Sequence, residues 1–203
     1  KTTWQSISFG TNSVFEFRCP TIWTTAYYVT VGGTGIVRVA EGATLTHNSA
    51  ADWYFRTGST LENRGTLLFL GPSTQPLRMD ASGGGVGTVL NRENGIIISE
   101  VGNRTIAMAN SNQTFSNFGT VEVRNGSTFT IDSRGSTPQW DGAGELTAGT
   151  WKLLAGTTNA TLNLDPANAG ITTLGTNATV ILSKSGPGNP IFAELSPLHT
   201  VRG

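Results

Sequence analysis

Apolar and polar residues alternate in short runs along most of the chain. Examples are Gly35-Ile-Val-Arg-Val39, Leu67-Leu-Phe-Leu70, Thr120-Val-Glu-Val123, Ser127-Thr-Phe-Thr-Ile131 and Ala160-Thr-Leu-Asn-Leu164. A period of two sends successive side chains to opposite faces of a strand. Gly, Asn or Pro bounds each run, as strand punctuation requires. Nowhere do apolar residues recur at i, i+3, i+4 and i+7 through three turns, so the pattern predicts an all-β chain.

The runs also repeat. Thr60-Leu-Glu-Asn-Arg-Gly-Thr-Leu67, Val89-Leu-Asn-Arg-Glu-Asn-Gly-Ile96 and Thr114-Phe-Ser-Asn-Phe-Gly-Thr-Val121 nearly superimpose, with weaker copies at 33–37, 145–151 and 171–176. Glycines at 35, 65, 95, 119, 149, 175 and 203 stand 24 to 30 residues apart, 28 on average. Periods of about 20–50 residues mark stacked repeats. Each period reads as strand, Asn-x-Gly corner, strand, turn, strand, with Asn and Gly expected at corners for their tolerance of left-handed backbone angles.

About 28 residues per coil is too long for the left-handed hexapeptide helix and too short for a propeller blade of about 40. The expected fold is a right-handed parallel β-helix, a β-solenoid of about seven coils. Residues 33–203 carry the repeats, and residues 1–32 form an irregular first coil or N-terminal cap.

Stacking places like residues over one another at ~4.8 Å. In the best-preserved turn Phe115, Val121, Val123, Phe129 and Ile131 point inward, and Glu122, Arg124 and Thr130 point outward or toward a lateral neighbour. Neighbouring turns offer Leu61, Leu67, Phe69, Leu77 and Met79, then Leu90, Ile96, Ile98, Ile106 and Met108.

Asn63-Arg-Gly-Thr-Leu67, the run 115–131, Gly149-Thr-Trp151 and the run 177–192 resemble the degenerate repeats of large bacterial cell-surface and autotransporter-like proteins. The resemblance spans about residues 33–203. It implies an adhesin, structural fibre or matrix component, and it implies no catalytic residue.

Composition agrees with an outward-facing polar skin. Thirteen Lys+Arg and thirteen Asp+Glu cancel, and only 13% of residues are charged. No global field therefore attracts nucleic acid. Thr, Gly, Ser and Asn make up 88 of the 203 residues, so hydroxyls and amides carry solubility. No apolar run approaches the ~20 residues of a membrane helix, which argues against membrane insertion. One cysteine, Cys19, excludes an internal disulfide framework. It reads as a small buried hydrophobe before Pro20. These features favour an extracellular, cell-surface protein.

Chemistry-bearing motifs are mostly missing. The fold resembles that of pectate lyases and polygalacturonases, yet Asn-Thr-Asp, Asp-Asp, Gly-His-Gly, Arg-Ile-Lys and Arg-x-Pro-x-x-Arg are all absent. The cluster Gly83-Gly-Gly-Val-Gly87 lacks the Gly-Lys-Ser/Thr of a phosphate loop and reads as a turn. His47 has the parity of Leu45 and is expected as a hydrogen-bonded core or rim residue; with His199 and Cys19 it makes no metal site. No catalytic, cofactor or metal residue is assigned.

Five Asn-x-Ser/Thr sequons, at Asn103, Asn112, Asn125, Asn159 and Asn177, are close to chance for this composition. The pairs Thr44/Thr46 and Thr128/Thr130 suggest flat ice-binding ladders, but Leu77/Met79 and Ile106/Met108 are expected to interrupt them.

One positive hint is aromatic. Trp140 in a polar insertion, with Asp141 and Trp53, forms a candidate glycan platform in which rings stack on sugars. At the other end of the argument, the period calls for another coil after Gly203. Phe192 and Leu198 are therefore the expected edge for further copies of the chain or more coils of a longer parent. Two functions follow: a non-catalytic structural or adhesive fibre segment, or a β-helix that binds or processes surface polysaccharide.

Overall fold

The computed structural model describes residues 6–24, 29–56, 58–79, 86–108, 111–132, 137, 139–140, 144–164, 170–195 and 200–201. The first turn holds β1 (Ser6–Phe9), β2 (Val14–Phe17) and β3 (Thr21–Trp23). The second holds β4 (Val29–Gly33), β5 (Ile36–Val39) and β6 (Thr44–His47), and the third β7 (Trp53–Phe55), β8 (Thr60–Asn63) and β9 (Thr66–Phe69). The fourth holds β10 (Leu77–Met79), β11 (Thr88–Asn91) and β12 (Ile96–Ser99), and the fifth β13 (Gly102–Met108), β14 (Thr114–Asn117) and β15 (Thr120–Arg124).

Later turns lack the middle strand among the described residues. There β16 (Ser127–Ile131) precedes the long β17 (Glu145–Ala155), and β18 (Ala160–Asn163) precedes the longer β19 (Thr173–Lys184). β20 (Pro190–Phe192), one 3-10 turn at Ala193–Leu195 and β21 (Thr200–Val201) follow.

First, middle and last strands of successive turns stack into three sheets. Sheet A has eight strands, from β1 to β20; sheet B has five, β2, β5, β8, β11 and β14; sheet C has eight, from β3 to β21. The ladders between them are parallel. The chain is an all-β parallel solenoid of about six turns, close to the seven expected. Residues 6–23 supply one strand to each sheet, so the first coil is in step with the second.

Alternation explains the core. On sheet C, Leu45, Leu67, Ile97, Val121 and Trp151 form one inward column, and Phe69, Val123 and Leu153 lie in the next. Val37, Leu61, Val89 and Phe115 line sheet B. Nearly all of these are fully buried, each worth about 1.5–3 kcal/mol of transfer free energy. Rings of different turns also meet, with Phe69 6.0 Å from Phe129 and Phe115 6.5 Å from Trp151 between centroids.

The fourth turn departs from expectation by one residue. Val89 and Ile97 face the core, whereas Leu90 and Ile96 are half-buried on the outer face and Ile98 lies beside Leu68 and Glu122. The cause is a longer corner. Asn91 stacks on Asn63 and Asn117, and Gly95 follows four residues after Asn91, against two in the turns on either side.

The corner residues serve purposes other than left-handed backbone. Asn63 Nδ2 donates to Asn91 Oδ1 and Asn91 Nδ2 to Asn117 Oδ1, both at 2.7 Å. The same two amides also donate to the carbonyls of Ile96 and Thr120 at 3.1 Å. All three Asn are fully buried, and the ladder pairs the amide groups that face each other between turns, leaving Asn63 Oδ1 and Asn117 Nδ2 at its two ends without a hydrogen-bond partner. Gln139 ends the row, its Oε1 accepting from Asn117 N at 2.9 Å.

Gly65, Gly95 and Gly119 have ordinary φ; Gly149 alone of this row is left-handed, at 84°. Close stacking demands the others. A Cβ on Gly119 would sit 2.2 Å from the carbonyl oxygens of Arg92 and Gly95. Gly35 and Gly175 do not belong to the row: Gly35 precedes a sheet B strand, and Ala178 is the residue registered on Gly149.

Candidate functional site

The residues proposed for a glycan platform do not form one. Trp53 lies on β7 and points inward, 4% exposed, with its ring 5.4 Å from Trp23 and 4.8 Å from His47. Trp140 bridges to Leu146 and is 7% exposed. Both belong to the core, so neither offers a face to a sugar, and they sit on different turns. Asp141 lies outside the described residues. The polar sequence around Trp140 concealed its role: Gln139 accepts from Asn117 N of β14 and, through its carbonyl, from Thr147 N of β17, and Trp140 is buried beside Leu146.

Phe192 is likewise covered. It is 6% exposed and stacks 6.2 Å from Trp151, so it is core and not edge. Leu198 and His199 lie outside the described residues. Cys19, expected to be buried, is exposed.

Two networks of charge run along the outer surface. Arg38 Nε reaches Glu62 at 2.5 Å, Arg92 Nε and Arg64 Nη2 reach it at 2.8 and 2.9 Å, and Glu16 lies 3.5 Å from Arg38. Burial works to raise the Glu62 carboxyl, but the three guanidiniums outweigh it and hold the pKa at about 2. Glu122 pairs with Arg124 at 2.6 Å and Lys152 at 2.9 Å, and Arg124 also meets Glu100 at 2.6 Å. Its carboxyl is lowered in the same way, against a burial effect of opposite sign. Glu122 thus faces lateral neighbours, as alternation predicts.

These carboxylates are poor proton donors. A general acid needs a carboxyl held near the working pH, and Glu62 and Glu122 are held ionised by cations on adjacent turns. His47 is 1% exposed, with Nε2 3.1 Å from Ala51 O. Burial pushes its pKa down to about 4. It is a neutral core residue near neutral pH. Among the described residues no group of three or more His, Cys, Asp or Glu is placed to hold a metal ion.

Thr44, Thr66, Ile96, Thr120, Thr150 and Thr179 form a registered outer row on sheet C. Leu77, Met79, Ile106 and Met108 are buried and do not interrupt it, contrary to expectation. Its neighbouring row is Leu68, Ile98, Glu122, Lys152 and Ile181, so a flat two-column threonine array is absent there.

Among the described residues, one strand edge has a partner on only part of its length. β19 pairs with β17 from Thr173 through Lys184, but β21 covers only Thr173 and Leu174 on its other side. Along the remainder, Ile181 is 40% and Leu182 50% exposed, although Leu182 is registered on the fully buried Leu153. At the opposite end Val14, Phe15 and Ile22 are 46%, 39% and 68% exposed. Sequence reading missed β19 because its alternation matches that of the covered strands.

Comparison with protein-family models, curated proteins and solved structures finds no match to the chain.

Proposed function

We propose that this chain is a non-catalytic structural or adhesive β-solenoid, a segment of an extracellular surface fibre. The exposed edge of β19 carries the reading. Among the described residues, β19 beyond Leu174 has a strand partner on one side only, and an edge flanked by apolar side chains is one that natural proteins either cover or use. The outer surface fits a scaffold: Glu16, Glu62, Glu100 and Glu122 are engaged in ion pairs between turns, which tie the stack together laterally. The composition, rich in Thr, Ser and Asn and low in charge, suits a cell-surface location.

Immunogold electron microscopy of source cells with antibodies against the chain tests the reading. Label along surface fibres is expected; label confined to the cell interior contradicts it. Incubation with pectin, alginate and bacterial exopolysaccharide should release no oligosaccharide, and a product lost on changing Asp132, Asp141 or Glu145 would contradict the non-catalytic part. The buried positions of Trp53 and Trp140 remove the support those residues gave to polysaccharide binding.

A further inference from the structure

We infer that Arg104 holds a small monovalent anion, a halide such as chloride, at the corner between the fourth and fifth turns. The site is independent of the fibre reading. Arg104 alternates with Ile106 on β13, is registered on the fully buried Phe129, and is itself 5% exposed. Its guanidinium folds back over Gly102, where a Cβ would stand 3.2 Å from Nη1; Gly102 holds φ at 78°. Nη1 donates to Asn103 O at 2.8 Å, and Nε has no hydrogen-bond partner among the described residues.

The charge is unpaired as well as the donor. Arg18, Arg38, Arg64, Arg78, Arg92 and Arg124 each reach a carboxylate. Among the described residues no carboxylate pairs with Arg104, and burial alone acts on its pKa, lowering it. A cation taken out of water without a counter-charge is costly. Neighbouring groups do not supply one. Asp52 is held by Ser73 and Arg78. His47, close enough to feel the charge of Arg104, is neutral near pH 7. The counter-charge has to come from solution.

The local backbone makes a place for it. β10 is registered on β13 only from Ile106 onward, so Gly102–Thr105 meet a loop on the side of the fourth turn, joined through Thr105 N to Thr74 O at 2.8 Å. On the side of β16, Ser127 is registered on Gly102, and its Oγ donates to Gly102 O at 3.2 Å and meets Ser99 Oγ at 2.5 Å. Arg104 therefore lies in a polar corner of the core, just beneath the exposed Val101 and Asn103.

Charge and size select the ion. One guanidinium is balanced by one negative charge, whereas sulfate or phosphate would exchange a buried unpaired cation for a buried unpaired anion. A carboxylate ligand brings a carbon chain, for which a side chain 5% exposed leaves no opening. A halide has one charge, no substituent and no required direction of approach to the N–H groups of a guanidinium.

Thermal unfolding of the full chain, with chloride replacing gluconate at fixed ionic strength, tests the inference. An ion bound only by the folded protein raises Tm as its concentration passes Kd, so wild-type Tm should climb by a few degrees. Arg104→Met keeps the length of the side chain and removes the charge, and its Tm should not follow chloride. Arg78→Met, which removes a guanidinium paired with Asp52, should keep the wild-type response. A wild-type Tm indifferent to chloride, or a rise that survives in Arg104→Met, overturns the inference. Crystals of the wild type grown in bromide decide the matter should Arg104→Met not fold. An anomalous peak at hydrogen-bond distance from Arg104 Nε supports the site, and no peak there overturns it.

Discussion

Turns one to five and the turns beyond β15 solve the same packing problem differently. The first group carries three sheets, and its third to fifth turns close the corner between sheets B and C with buried Asn63, Asn91 and Asn117 over glycines pressed against backbone carbonyls. Beyond β15 the described residues form two sheets, and β17 and β19 run 11 and 12 residues through the region where that corner stood. The only irregularity between them is a register shift at Leu146/Ala148. Where three sheets meet, inward residues are sealed from every side; Phe115, Val121 and Val123 are fully buried. Where one long strand forms the outer layer, an inward residue such as Leu182 depends on whatever comes next. Covering in a solenoid is lent by the neighbouring turn, and the last complete layer has no lender among the described residues.

The largest expected effect breaks the corner. Gly119→Ala puts a methyl into two carbonyl oxygens that cannot both retreat without opening the Asn ladder, and should cost about 4 kcal/mol or more in urea unfolding. Thr176→Ala, at an exposed site on β19, should change stability by less than about 0.5 kcal/mol. Equal costs at the two sites would erase the distinction between the regions.

A sharper contrast uses one column. Leu153 and Leu182 are register partners on β17 and β19. Leu153→Ala should cost about 2–5 kcal/mol, as for a sealed core leucine, while Leu182→Ala should cost under about 1 kcal/mol because solvent already reaches it. Unfolding of dilute, monomeric protein measures both. A loss at Leu182 as large as that at Leu153 would mean the edge is covered.

The smallest effect is acid sensitivity in the three-sheet region. His47 has its pKa pushed from 6.5 to about 4 by burial. The unfolded chain therefore takes up a proton that the folded chain refuses, and stability falls as pH drops through 6.5 toward 4. Between pH 8 and pH 5 this amounts to about 2 kcal/mol. Glu62, with its folded pKa depressed to about 2 from 4.5, adds a second loss only below pH 4.5. His47→Gln should flatten the first window and leave the second. Identical pH profiles for wild type and His47→Gln would contradict this assignment.

Much of the fold was legible. Strict alternation named the inward residues of the third and fifth turns, because a half-buried strand allows only one parity. The fourth turn slipped because its corner is two residues longer: its register offset from the third turn is 28 before the corner and 30 after it, so an ungapped match at 29 falls one residue out of step on both strands. The glycine row was half right: Gly65, Gly95, Gly119 and Gly149 share a place in the ladder, whereas Gly35 and Gly175 only share the spacing. Trp140 read as exposed from its polar neighbours, although composition says nothing of the strands β14 and β17 that the segment joins. The open edge was the least legible feature. Ala178, Val180 and Leu182 alternate as any covered strand does, and coverage is a property of the adjacent layer.

Hydrogen exchange of β15 and β19 in dilute protein, read residue by residue, tests the central claim most directly. In a parallel ladder alternate amides face opposite neighbours. The amides of 120–124 should therefore be protected on both sides, as they lie between β12 and β17. Along 177–184 the dilute protein should protect only the amides that face β17, with the alternate set exchanging rapidly. Full protection of 177–184 would contradict the account.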